Sequence, residues 1–280
     1  MKLKTKNYTD NMIEGFRQDY IRQATQLFGK TGELRNLNKL KTCKFVLNER
    51  LGDGAATFLD ENKIEYGPLI HAHTFYHELN HLRQGTKPDN LRISYSAENP
   101  EYLWITQPRK GIFLDEGLTD TVARYMYKHS PFYNEKVDKV PMAAAGEYYN
   151  IQRHICVKFA DALGLKILEF SRLVDLNLRF EDKTLDKMCE KLTGDKYFYA
   201  DTQVSLDYYA TAQYIRLRCG WGDLVDGKTG QRYIDCDQEV WDTANEWVLE
   251  ADNRIAHLNK LRLQQAKSQQ PQSEKKGFFR

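Results

Sequence analysis

The sequence predicts an α+β protein: a small antiparallel sheet near the N-terminus, a histidine-rich helix directly after it, and a mainly helical remainder. Three observations carry this. Short apolar runs at 44–47, 55–59 and 63–66 are bounded by turn residues, with Gly52-Asp53-Gly54 between the first two. From Pro68 onward the apolar residues recur at helical spacing instead. With 280 residues, 41% of them hydrophobic, the chain is long enough to bury a core under both parts.

The first element is an amphipathic helix over 8–28, in which Met12, Ile13, Phe16, Tyr20, Ile21, Ala24 and Phe28 recur on one face. The three strand-like runs follow. Further helices are predicted over 69–84, 112–129, 142–163, 166–177, 183–193, 200–218 and 237–266, with Gly, Pro and Asn at the joins. This divides the chain into residues 1–130, holding the first helix, the sheet and two site-bearing helices, and residues 131–263, a helical part that closes a cleft. The last stretch, 264–280, QQAKSQQPQSEKKGFFR, is polar and low in complexity, and is expected to be a disordered tail.

Bulk charge excludes some partners. The 41 basic and 39 acidic side chains leave a net charge of +2, too even to attract nucleic acid or a membrane surface. No apolar run approaches ~18 residues, so no membrane span is expected. The opening MKLKTKNYTD has no apolar segment behind its lysines and does not read as a secretory signal, which makes a cytoplasmic location the default. The five cysteines, Cys43, Cys156, Cys189, Cys219 and Cys236, are odd in number and widely spaced, arguing against a disulfide framework or a cysteine zinc knuckle. Cys219 and Cys236 bracket a short loop and are the one pair to test for bridging.

Four of the seven histidines lie in HAHTFYHELNHLRQG, residues 71–85. Residues four apart share a helix face, so His77 and His81 can aim imidazole nitrogens at one ion, with Glu78 about 100° round the axis. This is the HExxH arrangement, in which two neutral imidazoles bind zinc and the glutamate is general base. Phe75, Leu79 and Leu82 supply the apolar stripe such a helix must bury. The plainer alternative is a polar helix face that happens to be rich in histidine. His71 and His73 are poor additional ligands, because His73, His77 and His81 would spread over about 12 Å of helix.

A catalytic zinc site needs a third protein ligand and an open position. Residues 111–129, GIFLDEGLTDTVARYMYKH, form another helix pattern with an apolar stripe of Leu118, Val122 and Tyr125. Glu116 and Asp120 are four apart on it. The glutamate is a candidate third ligand. The aspartate could accept the second ring N–H of a ligating histidine, fixing its tautomer. Taken alone, these read better as two solvated acids near a helix start, where the dipole favours them; together with HELNH the arrangement favours zinc.

HELNH at 77–81 followed by EGLTD at 116–120 resembles the gluzincin group of zinc metallopeptidases, which pair HExxH with a downstream ExxxD. The resemblance covers about 50 residues, and the phrase around Glu116 is similar to that of bacterial gluzincin domains. The 35-residue interval from His81 to Glu116 is longer than in thermolysin-like members. The resemblance implies a zincin-like fold and one Zn²⁺ held by His77, His81 and Glu116. It makes Glu78 the base acting on a zinc-bound water, and gives Asp120 the role of orienting a ligating histidine, His77 by preference. A strand within 43–67 would lie above the metal, and the substrate would be a peptide or protein.

The family's oxyanion donor is often a tyrosine, histidine or arginine beyond the third ligand. Tyr148, Tyr149 and His154 in GEYYNIQRH, and Tyr208, Tyr209 and Arg216 in DYYATAQYIRLR, are the candidates here. An apolar phase through Tyr148, Ile151, Ile155 and Phe159 assigns Tyr148 to packing and leaves Tyr149 as the catalytic choice. Each of these aromatics could equally be a packing residue.

Residues 222–229, GDLVDGKT, match the P-loop pattern literally, but Gly230 follows at once and too little chain remains for a nucleotide-binding sheet. Residues 226–230 are read as a tight turn. Val240, Trp241, Ala244, Trp247, Val248, Ala251 and Ile255 give the last helix a packing face, with partner binding as the alternative. Two other readings of the whole chain stand beside the peptidase: an inactive zincin-fold binding module, which the intact Glu78 disfavours, and a metal-free helical scaffold.

Overall fold

A computed structural model describes residues 8–29, 36–85, 110–134, 149–221 and 238–269. The first helix, α1 (Asp10–Phe28), is capped by Thr9, whose hydroxyl accepts from the Met12 N–H. A short α2 (Leu37–Thr42) follows; at six residues it is too brief for a periodic signal, and the sequence reading did not include it. Strands β1 (Lys44–Leu47), β2 (Ala55–Phe58) and β3 (Lys63–Tyr66) lie where the apolar runs predicted them. Then come α3 (Ala72–Gln84), α4 (Ile112–Lys128), α5 (Asn150–Leu163), α6 (Ile167–Phe180), α7 (Thr184–Thr193), α8 (Phe198–Trp221) and α9 (Gln238–Ser268). The helix expected over 142–163 is described from Asn150; residues 142–148 lie outside the described residues. Helix α9 runs on to Ser268, several residues into the stretch expected to be disordered from Gln264. Residues 270–280 lie outside the described set.

The sheet corrects one expectation. It is mixed, not antiparallel, with order β1-β3-β2: β2 pairs antiparallel with β3, but β1 pairs parallel with it. Only the β2–β3 link is a hairpin. The β1–β2 link instead crosses the end of β3, where Leu69 N–H donates to Gly52 O at 2.9 Å and Gly67 N–H to Gly54 O at 2.9 Å. A Cβ on Gly67 would lie 2.1 Å from that Gly52 oxygen. The crossing therefore needs glycine at position 67, and it delivers β1 to the far edge.

Among the described residues two apolar cores form, and α4 belongs to both. One joins α1, α2 and the sheet to α3 and the C-terminal half of α4, through Phe16, Tyr20, Phe75, Leu79, Leu82, Val122 and Met126. The other joins the N-terminal half of α4 to α5–α9, through Phe113, Leu118, Phe159, Phe170 and Tyr209. In the last helix Ala251, Ile255 and Leu258 are buried in that second core, which favours the packing reading of its face. Three predicted stripe members point elsewhere. Tyr125 is 39% exposed and Met126 takes its place, while Met12 and Ile151 are also largely exposed. Among the described residues no helix is long and apolar enough to cross a membrane.

A buried polar network fixes the crossing of α3 and α4. Asn80 Nδ2 donates to Thr119 Oγ1 and Thr119 Oγ1 to Gln84 Oε1, both at 3.2 Å. Asn80 Oδ1 accepts from Tyr20 Oη at 2.9 Å and from Arg83 Nε at 3.1 Å. Arg83 and Gln84 both continue to Asp175 on α6. Thr119 is the hinge-pin of this network, because its hydroxyl serves two side chains one turn apart on α3.

Thr119→Val keeps the shape and removes that hydroxyl, leaving an amide donor and an amide acceptor buried without partners. The variant should lose about 1–3 kcal/mol of stability. In urea titrations this is a lower midpoint at unchanged slope; an unchanged midpoint would show that the crossing does not depend on Thr119.

Candidate metal centre

Helix α3 carries the first half of the site. Its apolar stripe, Phe75, Leu79 and Leu82, is fully buried, as the spacing requires. Gly85, at φ 61°, ends the helix one turn after His81, its N–H donating to His81 O. Helix α4 carries the second half. Its first turn is pinned by Asp207, which accepts from Gly111 N–H at 2.5 Å and Phe113 N–H at 3.1 Å. With both helices fixed, Glu116 and Asp120 face the histidines.

The structure brings His77, His81 and Glu116 together. His77 Nε2 and His81 Nε2 are 3.0 Å apart, and Glu116 Oε2 lies 3.4 Å from the first and 3.3 Å from the second. Two imidazole nitrogens that close cannot both present lone pairs; a proton or a cation has to lie among these atoms. Ligands about 2.0–2.2 Å from a tetrahedral Zn²⁺ sit about 3.3 Å from one another. The three observed separations fit that figure. Side-chain exposure is 6% at His77 but 19% at His81 and 21% at Glu116, so the centre opens on the His81–Glu116 side.

Asp120 lies behind His77. Its Oδ1 is 3.7 Å from His77 Nδ1, an electrostatic contact longer than a hydrogen bond, and its Oδ2 meets Arg124 Nε at 2.8 Å and Arg153 Nε at 3.2 Å. The two arginines were not singled out from the sequence. Arg124 stands one turn beyond Asp120, a spacing that could have flagged it. Arg153 comes from α5, and only tertiary packing delivers it. That packing runs through Gly117, where a Cβ would sit 2.8 Å from Gln152 Cβ and 2.9 Å from Cys156 Sγ. The glycine of EGLTD thus lets α5 lie against the turn of α4 that carries Glu116.

The same close approach places Tyr149, at the start of α5, against His77, with ring centroids 5.3 Å apart and planes at 26°. Tyr149 is the described oxyanion candidate that stacks on a member of the centre. Tyr208 packs on Trp247, Tyr209 is buried beside Phe113, and His154 is exposed on α5. Tyr148 and the side chain of Arg216 lie outside the described residues. Glu78 is buried, and its carboxylate Oε2 lies 2.7 Å from Thr57 Oγ1 on β2. Thr57 is another residue the sequence did not flag. His71 and His73 are not in the cluster. Burial, reinforced by Arg124, lowers the His73 pKa to about 3, so its ring is neutral.

The charges of the centre are strongly coupled. Burial opposes a charge on His77, but Asp120 and Glu116, with help from Glu78, outweigh it and raise the imidazole to about 10. His81 moves in the same direction, burial opposing and Glu116 prevailing. Burial would push the Glu116 carboxyl up, yet the two imidazoles hold it well below the usual carboxylate range. Asp120 is likewise lowered against its burial, by His77 and Arg124.

Cys43, Cys156 and Cys189 are free buried thiols, and burial pushes the Cys189 thiol up to about 12. Cys236 and the P-loop-like stretch 222–229 lie outside the described residues, as does the side chain of Cys219. No protein-family model, curated protein or solved structure matches the chain.

With the His77 pKa at about 10, its ring is an imidazolium at neutral pH, and a cation must displace at least one proton to bind. Apparent affinity for a divalent cation, Zn²⁺ as the probe, should therefore rise about ten-fold per pH unit for each proton displaced between about pH 6 and 8, and weaken as pH falls. Calorimetric titration in two buffers of different ionisation enthalpy reads the released protons directly. Heats independent of the buffer would contradict this charge state.

Proposed function

We propose that the protein is a zinc-dependent metallopeptidase of gluzincin type, binding one Zn²⁺ through His77, His81 and Glu116. The observation that carries the reading is the convergence of His77 Nε2, His81 Nε2 and Glu116 Oε2 at 3.0–3.4 Å, with a buried glutamate next in sequence to the first ligand. Two imidazoles and one carboxylate form a three-ligand donor set known from catalytic zinc sites, and it differs from the closed four-ligand sets of structural ones. When bound, zinc supplies Lewis-acid polarisation of a carbonyl and makes water more acidic.

The chain's own groups do the rest. Glu78 takes the proton of the attacking water and passes it to the leaving amine. Asp120, held by Arg124 and Arg153, orients His77. Tyr149, stacked on His77, is assigned as donor to the oxyanion, a role worth about 2.7–4 kcal/mol in the transition state. An extended peptide suits the surroundings. In the described sheet β2 lies at an edge, and it carries Thr57 against Glu78, so an added strand would run past the base.

Glu78→Gln should keep stoichiometric zinc by elemental analysis and lose at least about 100-fold in cleavage of a peptide library. Equal cleavage by the variant would remove Glu78 from the reaction, and zinc-loaded wild type with no cleavage would favour a binding module. Glu116→Ala should lose zinc on dialysis against a chelator that wild type withstands. Retained zinc there would overturn the third-ligand assignment.

A further inference from the structure

Thr57 sits on β2 opposite Ile64 of β3, and Ile64 is fully buried, so the two side chains share the face of the sheet turned toward the protein. Valine has the same shape and fits a strand equally well, so the sheet alone does not call for a hydroxyl here. The hydroxyl has one proton and two acceptors in reach: Glu78 Oε2 at 2.7 Å and Glu78 O at 3.0 Å. The carbonyl is within α3, where the helical pattern gives it the N–H four residues on as its regular partner. The contact with the carboxylate is the shorter of the two, and 2.7 Å is the length of a hydrogen bond to a carboxylate oxygen. The proton therefore goes to Oε2.

We propose that Thr57 is a positioning residue for Glu78: its hydroxyl anchors Oε2 and leaves Oε1 as the oxygen that meets water. This rests on the peptidase reading and deepens it. A glutamate has three side-chain torsions, and a base that wanders by 1 Å loses most of its advantage. Anchoring one oxygen to a strand fixes the carboxylate without engaging the other oxygen. It also links the strand along which substrate would lie to the residue that accepts the proton.

The test compares zinc-loaded Thr57→Val and Thr57→Ser with wild type. On a peptide that wild type cleaves, Thr57→Val should lower kcat by about 10- to 100-fold, with KM and zinc affinity unchanged. Thr57→Ser, which retains the hydroxyl, should recover most of that loss. A purely structural threonine would instead show as a lower Tm in Thr57→Val with kcat intact, and that result overturns the proposal. Should the valine variant fail to fold, Thr57→Ala is compared with Thr57→Ser in the same way. Crystal structures give a readout that does not need activity. The Glu78 carboxylate should leave its wild-type position in Thr57→Val and keep it in Thr57→Ser. An unmoved Glu78 in both sinks the positioning role even if the protein is a peptidase. A moved Glu78 in a wild type that cleaves nothing would sink the peptidase reading and leave the anchor standing.

Discussion

Helix α3 is enclosed on almost every side, yet six of its buried residues are polar: His73, His77, Glu78, Asn80, Arg83 and Gln84. An enclosed polar group without a partner costs a few kcal/mol, so each must find one inside the protein. That constraint decides where the neighbouring elements go. Arg83 and Gln84 draw in α6 through Asp175, Asn80 draws in α1 and α4 through Tyr20 and Thr119, and Glu78 draws in β2 through Thr57. The remaining groups, two imidazole nitrogens and the carboxylate opposite, satisfy one another only with a proton or a cation among them.

The position of this cluster follows from the way α4 is shared. Leu118 belongs to the core of the helical body and Val122 to the core under the sheet, and Glu116 and Asp120 face α3 along the same stretch of helix. The centre therefore lies on the seam between two packed bodies, where a cleft can open without exposing either core. Its charges are arranged in a line from α5 inward. Arg153 and Arg124 stabilise the Asp120 carboxylate, Asp120 supports His77, and His77 meets Glu116. Each charge is compensated by the next, which is how so many ionisable groups persist at low exposure.

Much of this was legible in the sequence because it depends on helical period. Pairs four apart, His77 with His81 and Glu116 with Asp120, had to share faces, and three strands and most helix bounds followed from apolar spacing. What was not legible depends on how elements meet. The parallel β1–β3 pair follows from a backbone crossing at Gly67, which leaves no periodic trace. Tyr125 fits an apolar stripe by spacing but faces solvent, since the helix turns Met126 inward in its place. Thr57 and Arg153 lie 21 and 33 residues from the groups they touch, Glu78 and Asp120, and nothing local marks either. The apolar phase that assigns Tyr148 to packing, and so leaves Tyr149, includes Ile151. Ile151 is exposed, so that phase does not hold in the structure, although Tyr149 does meet His77.

The five residues EGLTD combine these effects. Glu116 offers a ligand atom and Asp120 backs a histidine, roles that a motif comparison can suggest. Gly117 and Thr119 act differently, one by letting α5 come close and the other by pinning α4 to α3. The glycine brings Tyr149 and Arg153 to the centre, and the threonine sets the spacing at which Glu116 meets the imidazoles. A candidate ligand, Glu116, and the residues that set its place, Gly117 and Thr119, are thus encoded in one turn and a half of helix. A substitution at Gly117 or Thr119 would disturb the centre while leaving all three candidate ligands in the sequence, so ligand residues alone are a weaker signature of this site than the whole stretch that carries them.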